Sequence, residues 1–168
     1  ILIASFGTHR ESGISVQQQR IAPEFPAVEN LTIVPPSPLA PQCFQQMDLV
    51  WVEGQYPCTA SEKPDFSGWM RFNPERHDNR EMTVADLMVA FDMWPPGVLP
   101  MFKSFAPASS LTWHVTYVHP LNSHLQDWFK YKVFTDYAAE GYSTEYAHLW
   151  DAENRLIAIS RQTVTVFA

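Results

Sequence analysis

The chain has 168 residues, 46% of them hydrophobic, enough to bury one sizeable core and short for two full domains. Eleven basic against eighteen acidic residues leave a net charge of −7, and no basic run tracks a phosphate backbone, which argues against a nucleic-acid partner; Lys130, Lys132 and Arg161 form only a local basic spot for the phosphates of a small ligand. No apolar run approaches the roughly 20 residues that span a bilayer, and Cys43 and Cys58 lack CxxC spacing, pointing to free thiols in a reducing compartment, with one disulfide as the alternative, rather than a zinc site.

The sequence opens on the strand-like run ILIASFG with no basic region ahead of it, unlike a signal peptide; residues preceding Ile1 are expected to be absent. Residues 1–6 read as a strand and 7–13 as a loop. Ile14, Val16 and Gln18 suggest a short extended piece, weakened by Gln17, Gln18 and Gln19. Between Pro23 and Pro41 lie six of the 14 prolines. Such density removes ladder donors and favours an extended linker. Residues 1–20 are therefore assigned to a body outside this chain, 21–46 to a Pro-rich linker, and 47–168 to one domain.

Within that domain 47–52 reads as a strand, 54–66 as a loop, 68–72 as a strand with Trp69 and Arg71 opposite Met70 and Phe72, and 73–81 as a loop. A helix follows over about 83–92. Thr83 with Asp86 three residues on makes a capping box, Met82 and Leu87 a hydrophobic staple, and Val84, Leu87, Met88 and Phe91 an apolar stripe. Pro95-Pro96-Gly97 stops it. Strands are expected at 111–118, 128–138, 142–150 and 156–167, with turns at Glu140-Gly141 and 151–154. In the first of these, Leu111, Trp113, Val115 and Tyr117 share one face, and Ser110, Thr112, His114 and Thr116 the other. Four long strands after one helix imply an α+β fold, an antiparallel sheet wrapped around one central helix. There is no strand–Gly-rich turn–helix for a nucleotide.

Asp92 is the most informative residue. A negative charge at a helix C-terminus opposes the macrodipole, and its apolar neighbours suggest a low-polarity crevice where a carboxylate orients or deprotonates a water. The plain alternative is a solvated turn aspartate. Gln162 sits in an apolar strand, where an amide needs a hydrogen-bond partner unless it faces out. Ser110 opens its strand or belongs to the loop before it. His114 and His119 lack metal-ligand spacing, and no nucleophile elbow is present.

The segments AFDMWPP, SSLTWHVTYVHP and DWFKYKVFTDYAAEGYSTEYAHLWDAENRLIAISRQ resemble the second half of the double-hotdog, type II acyl-CoA thioesterases. The family pattern runs from a helix ending near Asp, through a Ser or Thr opening a strand toward an Arg-Pro or His-Pro pair, to a WD turn and a Gln four residues past an Ala. Its water-holding residues fall on Asp92, Ser110 and Gln162, the last four residues after Ala158. Asn154-Arg155 departs from the usual Gly after the WD turn, and His119-Pro120 replaces the commoner Arg-Pro. The resemblance implies a hotdog fold, with 1–20 as the remnant of a first hotdog domain.

It further implies hydrolysis of acyl-CoA to a free acid and CoA, as part of fatty acid and lipid metabolism, with no metal, flavin or nicotinamide cofactor. Asp92 is the expected base, with Ser110 and Gln162 orienting the water. Trp94, Thr112 and His114 are the expected substrate contacts, although aromatics in a small sheet domain mostly fill its core. The family's cleft lies between paired hotdogs, so another hotdog domain or subunit is the expected partner. The expected setting is intracellular, cytoplasmic or peroxisomal. The competing readings are an idle acyl-binding or assembly domain, and an acyl dehydratase with His77 as its only candidate histidine.

Overall fold

The computed structural model describes residues 1–8, 10–16, 21–35, 37 and 40–167. Among these, six strands form an antiparallel sheet: β1 (Met47–Gly54), β2 (Phe66–Phe72), β3 (Ala108–Tyr117), β4 (Phe129–Ala139), β5 (Tyr142–Trp150) and β6 (Leu156–Val166). Their order across the sheet is β1-β2-β4-β5-β6-β3, and helix α1 (Val84–Asp92) lies between β2 and β3 in the chain. The α+β architecture expected from periodicity is the one observed. Alternation aims Met70, Phe129, Tyr131, Leu149 and Ala158 at the helix, where Leu87 and Phe91 complete a core in which all seven are buried.

The start of α1 follows the expected capping box. The Thr83 backbone N–H donates to Asp86 Oδ2 at 2.8 Å, and Thr83 Oγ1 accepts from the Asp86 backbone N–H. Arg80 adds two hydrogen bonds to the same carboxylate, at 2.7 and 2.8 Å. The buried face of the helix differs from the expected stripe. Leu87, Ala90 and Phe91 are its buried residues, while Val84 is half exposed. The sheet covers a narrower face than the four apolar positions define, so Val84 in the first turn reaches past its edge.

Gly68 fits the packing below the helix end. A Cβ there would run into the Val50 carbonyl and press the Trp94 ring, so the lack of a side chain lets that indole lie against β2. At the second turn Asn154 adopts φ +64°. Asn tolerates the left-handed region better than most residues, so the departure from Gly preserves the turn. Asp151 Oδ1 holds the backbone N–H groups of Glu153 and Arg155.

Residues 1–6 form no strand; Ile1, Leu2, Ile3 and Phe6 are exposed. An apolar run becomes a strand only against a partner edge, and no described segment pairs with it. Arg20 as a boundary, Gln17, Gln18 and Gln19, and Pro36 and Pro38 lie outside the described residues. The Pro-rich stretch around them is docked onto the sheet. Lys130 Nζ and Trp69 Nε1 on the outer face donate to the carbonyls of Pro23 and Pro26, and the Val34 N–H donates to Leu49 O on the edge strand β1. Among the described residues no helix is long and apolar enough to cross a membrane.

Candidate active site

The position of Ser110 is set by a β-bulge. Ser110 pairs with Val164, but the next partners are Thr112 and Thr163, so Leu111 is an extra residue in β3. One inserted residue reverses the facing of everything before it. Ser110 therefore shares the helix-side face with Trp113 and Gln162, whereas Thr112 and His114 face outward, opposite Thr163 and Arg161. This corrects the expected grouping of Ser110 with Thr112 and His114, which assumed unbroken alternation.

On the helix side the Gln162 amide Nε2 donates to Ser110 Oγ, joining residues 52 positions apart. Gln162 thus finds the hydrogen-bond partner that an amide in an apolar strand needs. A hollow of about 240 Å³ at this edge of the sheet is lined by the outward-facing Thr112, His114, Arg161 and Thr163 together with Trp113 and Gln162, and Ser110 is not part of its lining.

Asp92 is the last residue of α1 and is exposed rather than enclosed in a crevice. The reason is angular. Each helical residue turns about 100° from the one before, so Asp92 leaves the Phe91 face and joins the uncovered side with half-exposed Val89. Among the described residues no hydrogen bond joins Asp92 to Ser110 or Gln162. Its charge is felt by Tyr131: burial holds that phenol well above its ordinary range, and Glu145, Asp65 and Asp92 add to the effect. Asp92 and Glu145 thus act on one hydroxyl from two elements.

Trp94 follows directly and is buried. Its ring stacks on Tyr131 with centroids 4.8 Å apart and 5° between planes, and its N–H donates to Met70 Sδ at 3.0 Å. The first turn beyond the helix is therefore pinned by an aromatic stack, which aims the Gly97 backbone N–H at the sheet.

That N–H meets Glu145, a residue the sequence reading did not single out. Glu145 on β5 is 4% exposed, and its Oε2 accepts from Gly97 N at 2.8 Å. Burial pushes its carboxyl up to about 7; the Gly97 hydrogen bond opposes that shift and nearby Asp65 adds to it. A signal was present in the alternation: Glu145 shares one face with Ala147 and Leu149, and an acid in line with two buried apolar residues needs an explanation.

His77 lies in the loop before α1, edge-on to Phe72 at 5.2 Å. A separate cleft of about 720 Å³, lined by residues including Glu53, Lys63, Asp65, Lys132 and Phe134, contains none of the expected site residues. Among the described residues no group of three His, Cys, Asp or Glu side chains is gathered to hold a metal.

Residues 20–166 match the family model described as the acyl-CoA thioesterase C-terminal domain. Among solved structures, a conserved protein of unknown function with a hot dog fold from Alicyclobacillus acidocaldarius is 21% identical at TM-score 0.79, covering 97% of this chain and 60% of that one. An acyl-CoA thioesterase II, TesB2, from Mycobacterium marinum is 14% identical at TM-score 0.66, covering 92% and 59%. A tesB protein from Mycobacterium avium subspecies paratuberculosis is 15% identical at TM-score 0.65, covering 91% and 56%. The fold is the hotdog fold, and the chain spans about three fifths of the length of these proteins. No curated protein sequence matches it.

Proposed function

The chain belongs to the acyl-CoA thioesterase C-terminal domain family, and from that premise we propose that it hydrolyses acyl-CoA thioesters to a free acid and CoA. The observation that carries this reading is the Gln162–Ser110 hydrogen bond. The two residues that the family pattern assigns to holding a water are side by side, on the helix-facing side of the sheet.

In the proposed reaction Ser110 and Gln162 fix a water by hydrogen bonds, and Asp92 takes its proton as the oxygen attacks the thioester carbonyl. The carbonyl oxygen gains charge and needs donors placed for it. Collapse breaks the C–S bond, and the thiolate leaves as CoA, taking up a proton. Trp94 is left out of this site because it is core packing, and Thr112 and His114 because they lie on the other face. The exposed helix side bearing Val84, Val89 and Asp92, with the free edge of β3, is the surface that a second hotdog domain would cover. Such a partner would bring Asp92 out of bulk solvent, and residues 1–20 are read as the remnant of that first domain.

The test is thiol release from a panel of acyl-CoA thioesters. Asp92→Asn is expected to lower turnover by about 10²–10⁴, the range of a lost general base, with an unchanged melting temperature. Undiminished hydrolysis in that variant rules out the mechanism. The exposure of Asp92 favours a second reading, an acyl-binding domain without turnover. Acyl-CoA binding with no thiol release by the parent chain would establish it.

A further inference from the structure

The proposed reaction uses three polar residues and leaves a fourth on the same face without a role. Glu145 and Gln162 are direct partners across the β5–β6 ladder, and side chains paired in this way have Cβ atoms about 5 Å apart. Among the described residues two hydroxyls flank Glu145 and no cation acts on it. Its β4 partner is Thr135, and Ser143 lies two residues before it on the same face. The hydroxyl oxygens of both are buried without a hydrogen-bond partner.

Among the described residues the charged and titratable groups that act on it, or on its neighbour Tyr131, are acids or that phenol. Asp65 comes from the loop ahead of β2, Tyr131 from β4, and Asp92 from α1 acts on the same Tyr131. The neighbouring cations are turned outward and engaged elsewhere: Lys132 with Glu53, Lys130 with Pro23 O and Asn154, and Arg161 with Asp136. A buried carboxyl without a counter-cation keeps its proton.

We propose that Glu145 is a positioning residue: as the neutral acid it hydrogen-bonds Gln162 across the strand pair and fixes which end of that amide faces Ser110. A neutral carboxyl has an O–H to give to the amide oxygen, which leaves the NH₂ for Ser110, the orientation observed. A carboxylate only accepts. Once ionised, Glu145 draws the NH₂ to itself and turns the amide away from Ser110. The inference rests on the reading of Gln162 as a water-holding residue, and it places a descending limb in the pH profile near the titration of Glu145, at about 7.

The deciding measurement is the side-chain NH₂ resonance pair of Gln162 in the ¹⁵N-labelled whole chain, followed from about pH 5.5 to about pH 8.5 to bracket that titration. An inflection near 7 is expected in the parent chain and its disappearance in Glu145→Gln. No inflection in the parent, or one that persists in Glu145→Gln, overturns the proposal; should that variant not fold, the parent titration alone decides. In thiol release, Glu145→Ala is expected to lower kcat about tenfold, the worth of one hydrogen bond, with KM held. Glu145→Gln should recover most of that loss and lack the descending limb. If no variant and no parent chain releases thiol, the functional reading fails, while the resonance titration still decides the positioning role.

Discussion

At the N-terminal end of α1 the groups satisfy one another, while at the C-terminal end several are left in costly positions. Thr83 and Asp86 exchange hydrogen bonds and Arg80 closes the cluster. That arrangement holds the Asp86 carboxyl well below the usual range, chiefly through Arg80. The other end has no basic residue in its last turn, carries Asp92 against the macrodipole, and places Glu145 in the interior beneath Gly97. Local rules are kept where the sequence specifies the fold and broken where the candidate chemistry lies. The contrast separates stability from function by about two and a half helical turns.

The sharpest way to break this division is at Trp94. If the C-terminal end were only a functional appendage, removing its indole would spare the fold. Trp94 also meets Phe66 at 5.6 Å and Trp51 at 5.2 Å, and Trp94→Ala is expected to cost about 3–5 kcal/mol of stability, as deletion of a large core aromatic does. Urea unfolding checks it. A loss below about 1 kcal/mol would mean that the site turn is not anchored through this stack.

Glu145→Gln sharpens the division by reversing the usual sign of a core change. The native carboxyl titrates at about 7 against an ordinary 4.5. The folded state therefore holds its proton more tightly, and the associated stability is full below about 4.5 and lost as the pH rises to about 7. The shift corresponds to at most roughly 3.5 kcal/mol at 1.4 kcal/mol per unit. Glutamine has no such loss, so the variant is expected to gain on the parent chain across that window and to level off above it. Denaturant midpoints at several pH values measure the gap, and a pH-independent difference would remove the buried-acid account.

The same division marks what could be read in the sequence. Thr83, Asp86, Met82 and Leu87 are neighbours along the chain, so local spacing revealed the helix start. The facing of Ser110 depends on where β3 meets β6: the bulge at Leu111 exists only in the paired register, and strict alternation put Ser110 on the wrong side. Helical spacing already sets Asp92 apart from Phe91; how far the sheet covers that side of the helix is settled only by the fold. Residues 1–6 had strand propensity without a partner. Glu145 was legible as an acid in line with the buried Ala147 and Leu149, because its placement follows from alternation that β5 keeps. Gly97, its donor, became identifiable only through the fold.

At the satisfied end the expected effect is smallest and purely one of stability. Thr83→Ala removes the hydroxyl that accepts the Asp86 N–H and donates to Asp86 Oδ2 at 2.6 Å. Loss of such a cap costs about 1 kcal/mol. The Arg80–Asp86 pair remains, and its exposed arginine makes it a weak substitute for the cap. Turnover per folded molecule should be unchanged, since the cap lies at the opposite end of α1 from Asp92, Gln162 and Ser110. A fall in kcat larger than the fall in folded fraction would show that strain passes along the helix, and the two ends would then have to be treated as one unit.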